Sequence, residues 1–269
     1  MTIASVSLAR RLMLLILIFF ASSISLFSQA QERRNASSDI SHLHLIHLGG
    51  SSTAALTLLP NSVISIYFRN QFLLKEMMEK KIDIGYRYQH NLFAFRIEHF
   101  GYTKFGEMVL STGYGRLFAG RFAVAMQFHY LFRHAYEYPS EHSFTFDLSF
   151  QAKIKENFGF GVEIYNPAGL KYEVVKGNVI PRYFKINLHH KMNSKIIIRS
   201  EIVKYFPGGG DILLGIDFLI SSIALSSSVS LSYLQFNILL SWRSFNFDLQ
   251  SQYHYRLGFS PALRFHYLF

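Results

Sequence analysis

The chain has 269 residues, and 27 lysines and arginines against 17 aspartates and glutamates give it a formal net charge of +10. Only 16% of the residues are charged, whereas about 25% is usual for a soluble domain. The absence of cysteine excludes disulfides, thiolate metal sites and thiol nucleophiles. An apolar content of 50% excludes a disordered chain, and the scattered basic residues do not indicate nucleic-acid binding.

Residues 1–30 have the three parts of a secretory signal peptide. Arg10 and Arg11 precede an apolar run from Leu12 to Ala21, and Ser28-Gln29-Ala30 forms a small-residue cleavage site. The alternative, a permanent membrane anchor, is disfavoured because the run is shorter than the roughly 20 residues of a spanning helix. We therefore predict export through a cleaved signal peptide.

From Ser62 onward the hydrophobic pattern repeats every two residues, which predicts strands. The clearest segment places large apolar residues on one face: Phe122, Val124, Met126, Phe128, Tyr130 and Phe132. Such segments run to roughly 10 to 12 residues, which exceeds the usual soluble strand and suffices to cross a bilayer at a tilt. Because an open sheet edge in lipid leaves backbone amides unpaired, the sheet must close. The sequence predicts an all-β fold, a transmembrane antiparallel barrel of about 14 strands over residues 62–269.

The opposite faces of these strands carry charges of both signs. They are Asp83, Arg87, Arg96, Glu98, Asp147, Lys153, Arg199, Glu201, Asp217, Asp248 and Arg264. A large soluble barrel with these residues outside fits the alternation equally well. Aromatic residues near the strand ends on the apolar face favour the membrane, because they are placed as interface girdles. These are Tyr86, Tyr88, Tyr130, Phe132, Trp242, Tyr253 and Tyr255. We predict that the charges line a lumen, pair across it and leave a barrel that conducts poorly.

The last strand carries a more specific signal. Phe265, Tyr267 and the terminal Phe269 lie on one face and alternate with polar or smaller residues. A terminal aromatic residue on an alternating strand resembles the signal read by the machinery that assembles outer-membrane barrels. We therefore expect that machinery to be a partner during insertion, with outer-membrane lipid around the finished barrel.

Several short segments resemble a family of outer-membrane barrels in their order and spacing. They are Tyr67–Glu76, Phe100-Gly101-Tyr102, Phe128-His129-Tyr130-Leu131, Tyr165-Asn166-Pro167, Ile180-Pro181 and Gly258-Phe259-Ser260-Pro261. This set, spread over Gly49–Phe269, is similar to the PorV/PorQ-like proteins and more distantly to the FadL long-chain fatty-acid channel. The resemblance implies a fourteen-stranded barrel with an amino-terminal plug. Here residues 31–61 lack the family's Asn-(Pro/Gln)-Ala-Gly-Leu motif, so the plug-like segment looks truncated.

Catalytic and cofactor sites are not indicated. His42, His44 and His47 have a spacing that suits a metal, but no further ligand is close in sequence. Serines such as Ser226 lack the Gly-x-Ser-x-Gly frame of a hydrolase, and Gly208–Gly210 lacks the Lys-Ser/Thr of a phosphate loop. We predict no enzyme activity, no metal and no cofactor.

Two functions follow from the resemblance. The PorV/PorQ likeness implies an accessory of protein secretion, as in type IX secretion, or of surface attachment, with secretion-system components as partners. The FadL likeness implies passive transport of a hydrophobic ligand. The truncated plug favours the first, because a FadL-type channel uses that segment to gate its substrate. Both place the protein in the outer membrane of a gram-negative cell.

Overall fold

The computed structural model describes residues 52–172 and 180–269. Within these ranges a short helix, α1 (Thr53–Thr57), precedes fourteen strands. The strands are β1 (Val63–Asn70), β2 (Met78–Tyr88), β3 (Asn91–Tyr102), β4 (Phe105–Phe118), β5 (Phe122–Ala135), β6 (Glu141–Lys155), β7 (Phe158–Tyr165), β8 (Tyr183–Lys191), β9 (Ile196–Tyr205), β10 (Gly210–Ile220), β11 (Ile223–Ser230), β12 (Tyr233–Trp242), β13 (Phe245–His254) and β14 (Gly258–Leu268). Two single turns of 3₁₀ helix, Gln71–Leu73 and Lys75–Met77, lie between β1 and β2.

The strands form one closed barrel. Each strand pairs antiparallel with its neighbours in the chain, and β1 pairs with β14 from Val63 opposite Leu268 to Arg69 opposite Ala262. Beyond this seam, the backbones of Ser62 and Phe269 exchange two hydrogen bonds of 3.0 Å. The predicted closed antiparallel barrel of fourteen strands is confirmed.

The alternating sequence gives the wall an apolar outside and a polar inside. On β5 the buried positions alternate with exposed ones, so that Gln127 and His129 point inward while Met126 and Phe128 point outward. Exposed aromatic side chains recur around the exterior, and Trp242 is 64% exposed. An apolar exterior around a polar interior is the arrangement of a membrane barrel, the reverse of a soluble one.

The two ends of the barrel differ in their connections. One, the short-turn end, holds both ends of the barrel-forming chain and the hairpin turns 89–90, 119–121, 156–157, 192–195, 221–222 and 243–244. The other, the long-loop end, holds the segments 71–77, 103–104, 136–140, 166–172, 180–182, 206–209, 231–232 and 255–257. Asn166 to Gly169 forms a turn there, closed by a 3.0 Å bond from the Gly169 N–H to the Asn166 carbonyl.

The amino-terminal predictions fall largely outside the described residues. The signal peptide, its cleavage site and the segment with His42, His44 and His47 all precede residue 52. No helix within residues 52–172 and 180–269 is long and apolar enough to cross a membrane.

Candidate functional site: the barrel lumen

The short-turn end of the lumen is filled by the last residues of the lead-in. Helix α1 is buried along its whole length, and the Ser52 hydroxyl caps it by accepting from the Ala55 N–H. The Thr53 hydroxyl donates to Gln127 Oε1 at 3.0 Å, and the Ala54 N–H donates to Ser149 Oγ at 3.3 Å. The helix is therefore bonded to the inner wall at β5 and β6.

Two glycines of β4 make room for this helix. A Cβ added at Gly115 would lie 2.1 Å from the Thr57 hydroxyl oxygen, and one at Gly113 would lie 3.2 Å from the Thr53 hydroxyl oxygen. Because every other residue type carries a Cβ, glycine at position 115 is required for the helix to seat at this depth. The described part of the lead-in acts as a plug at this end.

Between α1 and the short turns, apolar residues complete the closure of the lumen. Leu56 and Leu59 pack into a buried cluster with wall residues that point inward near the short turns. The wall residues are Val63, Leu92, Ile197, Leu219, Ala224 and Leu239. Arg87 also binds the plug, because its guanidinium donates to the backbone carbonyls of Thr57 and Leu59. This end of the lumen is a packed core.

On the long-loop side of the plug, the wall carries partly buried ion pairs. Asp83 on β2 accepts a hydrogen bond from Arg96 Nε on β3. On the same two strands, Lys81 Nζ lies 3.2 Å from Glu98 Oε2 and 2.6 Å from Glu79 Oε1. Each acid and base here is only partly exposed, so each pair satisfies charges that water reaches poorly.

Two further pairs lie on the facing part of the wall. Lys185 Nζ lies 2.8 Å from Glu163 Oε2, with both side chains almost fully buried. Arg199 donates two hydrogen bonds of 2.8 Å to the two carboxylate oxygens of Asp217. The second pair is bidentate, a geometry that fixes both side chains against the wall.

The pairing differs from the sequence prediction in its direction. Within the part of the chain that the structure describes, the ion pairs given above join residues of the same strand or of adjacent strands, as Asp83 and Arg96 do on β2 and β3, and not residues on opposite sides of the lumen. Side chains directly opposite on paired strands have Cβ atoms about 5 Å apart, whereas opposite walls of a fourteen-stranded barrel are much farther apart. The prediction of charge pairs that cross and obstruct the lumen is therefore wrong, and the plug fills that role at the short-turn end.

The remaining predicted lumen charges occupy varied positions. Glu201 points inward opposite Asn187, and Asp248 is buried opposite Arg264 on β14. The Arg264 guanidinium lies 4.7 Å from the centre of the Tyr67 ring. The structure corrects the predicted lumen position of Lys153. This residue lies at the irregular end of β6, its side chain is 46% exposed, and it pairs with Glu156 of the adjoining turn at 2.8 Å.

A polar row at mid-height was not foreseen from the sequence. Ser111 Oγ lies 2.8 Å from His129 Nδ1, and His129 Nε2 lies 2.8 Å from Asp147 Oδ2. These are the residue types of a hydrolase triad, yet Ser111, His129 and Asp147 are 2%, 5% and 4% exposed. Their strands bond continuously to their neighbours here. We interpret the row as polar packing of the wall, because the hydroxyl is not presented to a substrate.

A row of aromatic rings connects this level to the long-loop end. The row consists of Tyr165 on β7, Tyr183 on β8 and Tyr205 on β9, each of which lies opposite the next on paired strands. In the other direction, Tyr165 lies opposite Asp147 of β6, which in turn lies opposite Gln127 of β5 beside the plug. Since barrel strands tilt, such a row climbs the wall. Tyr165 and Tyr183 stack at 5.2 Å, and Tyr183 meets Tyr205 edge-on at 6.0 Å. We call these three residues the tyrosine row.

The alternation of residues between the two faces of each strand could have located the tyrosine row. In each strand its tyrosine shares the polar face, two residues along the strand from Glu163, Lys185 and Val203 respectively. The contacts among the rings could not be read in this way, because they depend on the register between strands. The terminal aromatics lie outside the lumen: Tyr267 and Phe269 face outward, and Phe265 lies 5.1 Å from Phe247.

Comparison with known proteins identifies the fold. No family model and no curated protein matches the chain. Among solved structures, a TodX mutant described as a monoaromatic hydrocarbon channel shares 8% identity over 84% of this chain and 94% of its own, with a TM-score of 0.65. CymD, also described as a monoaromatic hydrocarbon channel, shares 9% over 90% of this chain and 97% of its own, with a TM-score of 0.59.

The toluene transporter TodX of P. putida gives a similar result. It shares 7% identity over 81% of this chain and 93% of its own, with a TM-score of 0.61. Identities this low show the shared barrel fold and nothing further. None of these three structures is described as a PorV or PorQ protein.

Proposed function

We propose that the protein is an outer-membrane barrel that carries small hydrophobic or amphipathic molecules passively across the membrane. The observation that carries the proposal is the tyrosine row, which offers a continuous aromatic surface from the long-loop rim to mid-lumen. Aromatic surfaces bind apolar and aromatic molecules through offset and edge contacts. The fold likeness to channels described as carrying monoaromatic hydrocarbons supports the same function.

The outer-membrane placement rests on the barrel surface. Exposed apolar side chains cover the exterior, while the charges point into the lumen or lie at the two ends. Outer-membrane barrels have short turns on the periplasmic side and longer loops outside the cell. In this placement the plug closes the periplasmic end, and the tyrosine row opens toward the exterior of the cell.

The accessory role in secretion receives less support. It came from short segment likenesses, and the matched folds favour the transport alternative. The barrel-assembly machinery and outer-membrane lipid remain expected partners in either case. If a secretion component co-purifies with the barrel and no small molecule is taken up, the secretion role is favoured over transport.

The test is uptake of radiolabelled toluene by gram-negative cells that express the barrel. We expect faster uptake than in cells with an empty vector, and slower uptake with Tyr183→Leu than with Tyr183→Phe, because phenylalanine retains the ring. Tyr183→Phe also removes the 2.6 Å bond from the Tyr183 hydroxyl to Glu163 Oε1, so it controls for that bond. The matched exterior control is Tyr86→Leu. Uptake at the vector level, with folded barrel present, contradicts the proposal.

A further inference from the structure

Basic residues are concentrated on three consecutive hairpins at the short-turn end. These hairpins join β4 to β5, β6 to β7 and β8 to β9. The residues in or beside their turns, which we call the basic arc, are Arg116, Arg121, Lys153, Lys155, Lys191 and Lys195. Most acids of the described strands point into the lumen, so they do not offset this charge on the outer rim.

The arc is physically continuous. The Lys153 N–H donates to the Arg121 carbonyl at 2.8 Å, which joins the first hairpin to the second. The Lys191 N–H donates to the Asn157 carbonyl, also at 2.8 Å, which joins the second hairpin to the third. The three turns, with their six basic residues, are therefore neighbours on one section of the rim.

The pKa of one carboxylate, that of Glu156, shows that basic residues of all three hairpins act at one place. Glu156 is fully exposed, and its pKa lies below the ordinary glutamate value because Lys153 bonds to it and attracts it, and because Arg121 and Lys191 add their charge. Cations from all three hairpins therefore act on the same point. Glu156 is the one acid in these three turns or within three residues of them, so a positive excess remains there.

The basic residues are concentrated on one side of this rim. The turns at 89–90 and 221–222 contain Gln89, His90, Ser221 and Ser222, and the turn at 243–244 adds Arg243. Arg87, which lies beside the first of these turns, is bonded to the plug. A partner attracted by the arc therefore meets a directional surface rather than a uniform ring.

The arc borders the apolar exterior. The Arg116 guanidinium lies 5.7 Å from the centre of the Phe118 ring, which is itself 47% exposed. Phe122 and Ile154 are exposed on the wall at the same level. In a bilayer this boundary between apolar wall and charged rim falls at the depth of the lipid headgroups.

We propose that the basic arc is a binding site for anionic phospholipids, with their headgroup phosphates on the cations and their acyl chains on the adjoining wall. This inference rests on the membrane placement proposed above. Arginine and lysine bind phosphate through charge-assisted hydrogen bonds, and several such contacts near an anionic surface add. An acidic protein segment fits less well, because it has no acyl chains to contact the apolar wall beside the arc.

The experiment compares two variants of equal charge change in the full mature chain. The arc variant replaces Arg116, Arg121, Lys155, Lys191 and Lys195 with glutamine and leaves the Lys153–Glu156 pair intact. The control variant replaces five basic residues of the long-loop end with glutamine: Lys75, Lys80, Lys104, Lys171 and Arg256. Folding of each is verified by its heat-modifiable gel mobility, and native mass spectrometry measures bound phosphatidylglycerol against phosphatidylcholine in mixed micelles.

We expect the wild type and the control variant to prefer phosphatidylglycerol by about fivefold or more, and the arc variant to lose the preference. A third variant with arginine and lysine exchanged throughout the arc should retain it. Equal binding of both lipids by the wild type, or equal loss in both glutamine variants, overturns the site. Arc-dependent binding of polyglutamate without lipid preference overturns it in favour of an acidic protein partner. Toluene uptake is a separate readout, so transport and the lipid site can fail independently.

Discussion

The two ends of the lumen are filled in different ways. At the short-turn end, α1 and a cluster of aliphatic side chains close the barrel as the core of a soluble domain would. Toward the long-loop end, buried ion pairs and the tyrosine row line the wall. The difference is one of chemistry, because apolar packing closes one end, whereas paired charges and aromatic rings line the other.

The largest expected effect concerns the seam at the closed end. Phe269→Asp places a charge beside the last backbone bonds of the seam and removes the terminal aromatic residue. We expect most of the protein to fail to insert, because a charge on the lipid face is unfavourable and the proposed assembly signal is lost. Phe118→Asp is the control, since it places the same charge on the same rim. Equal heat-modifiable yields of the two variants would contradict an assembly role for Phe269.

A second prediction tests the polar half. Glu163→Gln removes the carboxylate that contacts the buried Lys185 ammonium, and we expect a loss of about 3–5 kcal/mol in the free energy of unfolding. The double variant Glu163→Leu with Lys185→Leu should recover much of it, because both charges are then absent. Urea titration of the vesicle-inserted barrel measures both. A single variant as stable as the wild type would show that water reaches this pair freely.

A third prediction opens the packed half. Gly115→Val drives a side chain into the Thr57 hydroxyl, so we expect α1 to leave its seat at a stability cost of about 1–3 kcal/mol. Planar-bilayer recordings should show small, rare openings for the wild type and frequent, larger ones for the variant. Gly209→Val is the matched control, because nothing lies near Gly209. Porin-like conductance in the wild type would mean that the plug does not close the barrel.

The smallest expected effect lies on the rim outside the closed end. The pKa of Glu156 is lowered in the folded barrel, so its pairing stabilises the fold at neutral pH, and the benefit is lost as pH falls through the lowered pKa. Glu156→Gln should therefore lower the melting temperature slightly at pH 7 and by less at pH 3. Because Glu156 is fully exposed, screening by salt should reduce the difference. An identical difference at both pH values would contradict the pairing.

The sequence predicted the wall well because the wall obeys a local rule. A period of two assigns each residue to one face, so the inward position of Asp83 and the outward position of Tyr86 both follow from parity. Turn residues such as Asn157 and Ser221 mark where strands end. These signals need no knowledge of which strand lies beside which.

The contents of the lumen could not be predicted in the same way. The bonds of His129 to Ser111 and Asp147 depend on register between strands, which parity does not determine. Helix α1 has only five residues, too few for a helical period to show, and its seat depends on the glycines of a distant strand. Lys153 obeys the parity of β6 until the register shifts at the strand end.

The seam between β1 and β14 also constrains the order of events during folding. It joins the first strand to the last, so its contacts have the greatest separation along the chain and are expected to form late. Until then both strands have unpaired edges that another sheet could occupy. Helix α1 is tied to β1 by only a few residues, yet it bonds to β5 and β6 from inside. Because the seam forms late, helix α1 and its binding positions on β5 and β6 are all present before the barrel closes.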